Sequence, residues 1–585
     1  MENSAIFDKN LELFSQKNPA GSVLLGFADT SHLSITKTHN EDNLVYHFPE
    51  GDAFFYLPES PNAEANGWFH HLNMGKTTTL YVYGLGLGIY YRAASSWLDE
   101  SPERNLIFIE DDPAVVHRFL EIEEAEFLLK HPQVHIYLLR DVQTDQATYD
   151  RLTWTFVLDQ IQVTAAQFYR EKRAEAFAIL KTKLLYESAM KNDIVDEFLN
   201  FGAPFFRNYY ANLREMPSSY DGQKLFGIFR KIPAIICGAG PSLDRNAQKL
   251  KDLEDRALIF AGGSAMNVLN AAGIKPHFGA GIDPNQEQYE RYRQQKAEEI
   301  PYFYRNRLEH RAFSTIQGPR LYIKGAGGYP LADWVDEQLH IEGEIIEEGH
   351  NIVNFCTEIA VALGCDPIIF VGVDLAYTEM KSYAEGVLEK ADVSEEELST
   401  VPRFELTPHL HKDIQGKNVY TLWKWLAESQ WIAQFAKHHP EVTVVNASEG
   451  GIGMKGIENI PLEEVAKKLL TKDLQLKIMI NDSVKEAKLN ISSHQIKSVL
   501  NTLDVSLANA VEELIRLEKI SSDQERTLAE LRLHEEVSYT TILEIFQKVY
   551  HHVYPSDQKG VYPFLRKVAE LNRELIQAKN STSSS

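Results

Sequence analysis

Several short stretches carry residue types that could do chemistry. In "AIICGAGPSLD" an apolar run, Ala234 to Cys237, enters Gly238-Ala239-Gly240-Pro241-Ser242, and a segment of helical spacing follows. A strand, a Gly-x-Gly turn and a helix form a phosphate-binding arrangement. The glycines let a ligand approach the backbone, and the first helical turn offers unpaired N–H groups at the positive end of its dipole. Pro241 suits the first helical turn, where its missing N–H costs nothing. The Ser242 hydroxyl can cap the helix or bind an anion. Asp244 is placed to meet a ribose or a base, or to favour the helix N-terminus. The third glycine of a dinucleotide fingerprint would fall at Leu243, so a plain NAD site is not supported. A tight turn without ligand fits the same local sequence.

Other strand ends add to this set: Gly262-Gly263-Ser264, Asp283-Pro284-Asn285, Asp374 and Asn446-Ala447-Ser448-Glu449. Ser264 can cap the helical stretch that follows it. Asp283 and Asp374 each end an apolar run, as helix caps do and as catalytic carboxylates do. In an open α/β sheet all of these fall on the carboxyl-end rim, where ligands bind. The set therefore reads as one candidate site, with Gly238, Ala239, Gly240, Pro241, Ser242, Asp244, Gly263, Ser264 and Asn446 as candidate nucleotide-binding residues and Asp283 and Asp374 as candidate catalytic carboxylates; helix caps and turn formers are the structural alternative.

A second candidate lies upstream in "VYGLGLG". Gly84, Gly86 and Gly88 follow a strand, and Glu110 or Asp111 ends the next one. That spacing suits a carboxylate on a ribose hydroxyl, with Asp111 as the candidate; a scaffold that has lost its ligand reads the same way. "MGKTTTL" fails as a P-loop: the needed glycine is His70, and Lys76 precedes a strand. The histidines show no zinc spacing, so no metal is expected from them. His277, His310, His350 and His411 could act as general bases or simply be packed. No G-x-S-x-G elbow is present.

The elements that must position these residues form four segments. Residues 1–159 read as a Rossmann-like domain. After polar, aromatic-rich residues with short strands at "HLSITKT" and "DAFFYLP", a β-α-β-α-β pattern runs through "TLYVY", "NLIFIE" and "VHIYLL". Residues 160–229 read as a helical linker. Residues 230–459 form a second α/β unit, with strands at "AIICG", "ALIFAGG", "HFGAGID", "RLYIKG", "PIIFVGVD" and "VTVVNAS". Residues 460–585 read as a helical region built on a long antiparallel pair and ending in a disordered "NSTSSS" tail. The fold class is α/β: two Rossmann-like open parallel-sheet units joined by a helical linker, with a helical C-terminal region.

Composition narrows the function. A chain of 585 residues exceeds one hydrophobic core. The net charge of −24 repels nucleic acid, which is excluded as a main partner. Cys237, Cys356 and Cys365 form no C-x-x-C pair, which suits a reducing compartment. No apolar run is long enough for a membrane span, and the N-terminus lacks a signal pattern. A cytoplasmic protein is expected, and a homo-oligomer is compatible with the sequence.

Four motifs in fixed order, "PAIICGAGPSLDRN", "GIKPHFGAGIDP", "EIAVALGCDPIIFVGVDLAYT" and "VVNASEGG", resemble the shared domain of motility-associated-factor (Maf) glycosyltransferases and archaeal 6-hydroxymethylpterin pyrophosphokinases. The match spans roughly 230–455, and the whole layout is similar to the glycosyltransferase branch. That resemblance implies a CMP-activated nonulosonic acid on Gly238–Ser242, with Asp283, Asp374 and Asn446 lining the cleft. The sugar would pass to a Ser or Thr hydroxyl of a protein acceptor such as flagellin, and no cofactor is required. The pyrophosphokinase branch implies instead that Asp283 and Asp374 hold Mg²⁺ bridging ATP phosphates. A third expectation is a non-catalytic nucleotide-binding scaffold.

Overall fold

The computed structural model describes residues 2–39, 41–155, 160–293, 299–325, 328–349, 351–387, 392–399, 408–554, 557 and 559–578. The chain divides into two compact units, Met1–Val195 and Asp196–Ser585. The fold is α/β, with a parallel sheet in each unit and a helical C-terminal region.

The first unit opens with helices Glu2–Lys17 and Pro19–Leu25, which the weak patterning of this region hid. An antiparallel sheet follows, of β1 (Leu33–Thr38), β2 (Glu41–Phe48) and β3 (Gly51–Phe54). Then come β4 (Thr79–Tyr83), β5 (Asn105–Glu110), β6 (Val134–Leu138) and β7 (Ile161–Ala165), all parallel in the order β6-β5-β4-β7. Every residue of β4 is buried, as expected for a strand with both faces covered. β7 falls in the stretch read as helical linker. Its pairing partner, β4, lies far upstream, so nothing local marks "IQVTA" as a strand.

The second unit is built on nine strands. In chain order they are β8 (Tyr220–Asp221), β9 (Ala234–Cys237), β10 (Leu258–Gly262), β11 (Phe278–Gly281), β12 (Tyr302–Tyr304), β13 (Arg320–Tyr322), β14 (Ile368–Val371), and, after a separate hairpin of β15 (Pro408–Lys412) and β16 (Asn418–Leu422), β17 (Val444–Asn446) and β18 (Glu458–Asn459). Their spatial order is β18-β17-β14-β9-β10-β11-β12-β13-β8, with every pair parallel. The chain builds outward from β9 to β13, then returns to lay β14 on the other side of β9. The topological switch point therefore lies between β9 and β14. All six strands expected in this unit form. β8, β12, β18 and the hairpin were unread because they are short or only partly apolar.

Gly279 shows why the strands carry so many glycines. A Cβ at that position would collide with the ring of Tyr302 on the neighbouring strand. The Tyr302 hydroxyl donates to Ala280 O at 2.9 Å, so the ring is held in place.

In the C-terminal region, helix Ser493–Leu517 starts with a capping box between Ser492 and Gln495. The partner expected as one long helix is broken into Asp523–Glu535 and Glu544–Val553, with a π-helical turn, Tyr539–Leu543, before the latter. Near the break the Ser538 N–H donates to Ser506 Oγ at 3.0 Å. A further helix, Val561–Gln577, runs antiparallel to Ser493–Leu517: Arg566 pairs with Glu518 at 2.7 Å and Arg573 with Asp504 at 3.0 Å. The "NSTSSS" tail lies outside the described residues. Among the described residues no helix is long and apolar enough to cross a membrane.

The packing of β11 yields a prediction. Gly279→Ala should lower stability by about 1–3 kcal/mol through overpacking against Tyr302. A reduced denaturant midpoint for the full chain would show it.

Candidate functional site

The Gly238–Ser242 turn stands at the switch point, the place where open α/β sheets bind ligands. Strand pairing continues beyond β9 and β14: the Gly238 N–H donates to Val371 O and the Gly240 N–H to Gly372 O, each at 2.8 Å. A Cβ at Gly238 would sit 2.5 Å from Gly372 O, and one at Gly240 would strike the Asp374 carboxylate. Both glycines are thus required by the neighbouring loop, whatever the turn holds.

Asp374 lies under this turn and is 2% exposed. Its carboxylate accepts the Ser242 main-chain N–H at 3.2 and 3.3 Å and the Ser242 hydroxyl at 2.5 Å. Burial raises the carboxyl's pKa, opposed by these hydrogen bonds. Ser242 therefore neither caps the helix Leu243–Leu250 nor offers its N–H to an anion, which corrects the expectation for this residue. A carboxylate of the chain occupies the place assigned to a phosphate there. Ala239 and Gly240, only half-buried, form the accessible part of the turn. Asp244 is exposed and accepts the Glu385 N–H at 2.9 Å.

Asn446 is also committed internally. Its Oδ1 accepts the Ser448 N–H at 3.1 Å and its Nδ2 donates to Asn459 at 2.8 Å, so it braces β17 against β18. Ser448 Oγ accepts the Val373 N–H at 2.9 Å. On the other side of β9, helix Gly263–Ala271 starts with no side-chain cap; Ser264 lies inside the first turn and does not serve as that cap. Gly263 has φ 49° and open space on its Cβ side.

Asp283 follows β11. Gln288 Nε2 donates to it at 2.5 Å. Burial raises its pKa, against the pull of Arg307 and Arg291. β11 and β14, which Asp283 and Asp374 follow, are three strand spacings apart, about 14 Å. Among the described residues no group of three or more His, Cys, Asp or Glu side chains is placed to hold a metal ion.

The rim beyond β12 brings in residues that sequence reasoning missed. Arg305, 1% exposed, pairs with Glu348 at 2.8 Å. Arg307 meets Glu348 and Glu197, each at 3.3 Å. These residues follow an unread three-residue strand, so no signal marked them. Several buried polar atoms on helices and loops at this end of the sheet have no hydrogen-bond partner: both amide atoms of Asn267 and of Asn354, Asn306 Oδ1 and Arg305 Nε.

The histidines divide. His277 is buried, its Nδ1 accepts the Ile259 N–H at 3.0 Å, and burial pushes its pKa down to about 4; it is structural. His310 Nδ1 lies 2.7 Å from Asn212 Oδ1. His411 is exposed on β15. His350 lies outside the described residues.

The first unit's glycine turn is filled by its own chain. Tyr169 packs against Gly84, Phe55 and Tyr56 against Gly86, and Leu128 and Phe119 against Gly88. Glu110, fully buried, accepts the N–H groups of Leu85 at 2.9 Å and of Asp111 and Asp112 at 3.1 Å, and the Tyr169 hydroxyl at 2.5 Å. Tyr56 Oη accepts the Leu87 N–H at 2.8 Å. Asp111 accepts the Tyr83 hydroxyl at 2.8 Å and pairs with Arg173. Side chains hold the positions that a second nucleotide would need.

These features define a doubly wound α/β protein with its topological switch point between β9 and β14. Residues 207–380 match the family model described as 6-hydroxymethylpterin diphosphokinase MptE-like, so the chain carries an MptE-like domain. Over 91 residues, 16% of the chain, it is 36% identical to an uncharacterized protein of Treponema pallidum (strain Nichols), and the aligned stretch spans 42% of that relative's length. The fold matches that of a Maf glycosyltransferase from Magnetospirillum magneticum AMB-1, with a TM-score of 0.56 and 14% identity over 98% of this chain and 96% of that one. At that identity the likeness is one of fold.

Glu110 gives a pH prediction. Burial, then the neighbouring Asp111 charge, raises its folded-state pKa above the ordinary 4.5. A raised carboxyl pKa contributes stability that is full below the unfolded value and is lost as pH rises through the folded one. Calorimetry should show the wild-type Tm falling relative to that of Glu110→Gln between pH 5 and 9. A constant difference would mean that Glu110 does not titrate in this window.

Proposed function

We propose that the protein is a glycosyltransferase that moves a sugar from a nucleotide donor to a protein hydroxyl. What carries this reading is a Gly-x-Gly turn at the switch point of a chain that follows a Maf glycosyltransferase fold over nearly its whole length. The donor is a CMP-activated nonulosonic acid of the pseudaminic or sialic type, and the acceptor is a Ser or Thr hydroxyl of a protein such as flagellin. The donor phosphate rests over Ala239 and Gly240, and the start of helix Gly263–Ala271 faces the same edge. Asp283, a carboxylate of raised pKa at the rim, takes the acceptor proton. Asp374 positions the turn through Ser242.

The MptE-like match favours a second reading, an ATP-dependent diphosphotransferase. Asp283 and Asp374 would then hold Mg²⁺ bridging the ATP phosphates. A non-catalytic scaffold is the third.

Thermal unfolding of the full chain with CMP or ATP, each with Mg²⁺ and with EDTA, separates the three. A ligand at a hundred times its Kd adds about 2.7 kcal/mol. Stabilisation by CMP that survives EDTA is expected. Stabilisation only by ATP with Mg²⁺ would favour the diphosphotransferase, and no shift with any nucleotide the scaffold. Asp283→Asn should lower transfer from a CMP-sugar by roughly 10²–10⁴-fold while CMP still binds. Unchanged turnover would remove Asp283 from the chemistry.

A further inference from the structure

Asn267 lies on helix Gly263–Ala271, on the side opposite Ala265, Met266 and Leu269, which are buried. A polar residue on that side normally faces water. Asn267 is instead 7% exposed, and neither its Nδ2 nor its Oδ1 has a hydrogen-bond partner.

The segment Lys381–Val387 packs on this helix. Gly386 lies against this side of the helix: a Cβ there would sit 3.3 Å from Ala271 Cβ and 3.9 Å from Asn267 O. The same segment is tied to the β9 turn, because the Ala384 N–H donates to Ala239 O and the Glu385 N–H to Asp244 Oδ1, each at 2.9 Å. It therefore bridges the glycine turn and the helix that carries Asn267. Helical side chains lean toward the helix N-terminus, so the Asn267 amide leans over Gly263 and Ser264, four and three residues back. A buried amide with both atoms unpaired destabilises the free fold, which is a cost natural proteins accept at ligand sites.

We propose that Asn267 is a specificity-determining residue that reads the planar edge of a heteroaromatic base, under the Lys381–Val387 segment and beside the glycine turn. A carboxamide presents a donor next to an acceptor. The edge of a nucleobase does the same, and two hydrogen bonds satisfy both partners. A phosphate or carboxylate would satisfy only Nδ2 and leave Oδ1 unpaired against a negative group. The proposal rests on the nucleotide reading of the Gly238–Gly240 turn and adds the part of the ligand that the turn cannot recognise.

The test uses the full-length chain with Asn267→Ala and the near-isosteric Asn267→Leu. Thermal unfolding is measured without ligand, and calorimetric titration with CMP, UMP, AMP and GMP, with ribose 5-phosphate as a ligand lacking a base. The expected result has three parts. The unliganded Tm of both variants is unchanged or higher. The best-bound nucleotide weakens about tenfold or more. Any ribose 5-phosphate binding is unaltered. A clear drop in unliganded Tm in both variants would assign the amide to the fold and overturn the proposal. So would unchanged nucleotide affinity, with the nucleotide reading left standing. If the wild-type chain binds no nucleotide, that reading fails first and takes the base-edge role with it.

Discussion

The bond between Asp374 and Ser242 is the constraint on which the ligand edge depends. It joins the exit of β14 to the start of the helix after β9, across the point where the sheet reverses its order. Everything nearby is shaped to let the two loops meet. Gly238 and Gly240 lack side chains because Gly372 and Asp374 occupy that space. Gly451 lacks one because the Asp374 main chain passes there, and the Ile452 N–H closes the contact on Asp374 O at 3.0 Å. A carboxylate at 2% exposure is expensive unless it is hydrogen-bonded, and the two Ser242 donors offset that cost. The turn is held in one conformation before any ligand arrives, so its accessible part at Ala239 and Gly240 is preorganised.

The two glycine turns of the chain make an instructive contrast. Both follow a buried parallel strand and both have a carboxylate near their N–H groups. In the first unit the space is closed: Glu110, Tyr169, Phe55 and Tyr56 fill it, and every polar group placed there has a partner. In the second unit the turn stays partly open, and buried polar atoms without partners occur at Arg305, Asn306, Asn354 and Asn267. Native proteins leave few such groups unpaired, so where they gather is informative.

Much of the fold was legible. β4, β5, β6, β9, β10, β11, β13, β14 and β17 announce themselves as short apolar runs that end in Gly, Asp or Asn. What escaped was short or dependent on distant partners. β12 is three residues long, and β7 becomes a strand only through β4. Part of the site was legible too, since glycines and aspartates after strands are local features. Their partners were not. Nothing in the string "GPS" shows that the Ser242 donors are already taken, and nothing in "VNAS" shows that Asn446 braces β18.

The sequence by itself determined the two α/β units, the carboxyl-end location of the candidate residues and an acidic net charge of −24. Those follow from periodicity, turn chemistry and net charge, which are properties of neighbouring residues and of sums. Tertiary structure decided which candidates are free to act. It spent Ser242 and Asn446 on internal bonds, tied Asp374 to the turn after β9, and buried Asn267 without a partner. The reason is that hydrogen-bond capacity is consumed by whichever group lies within about 3 Å, and only the folded chain determines which group that is.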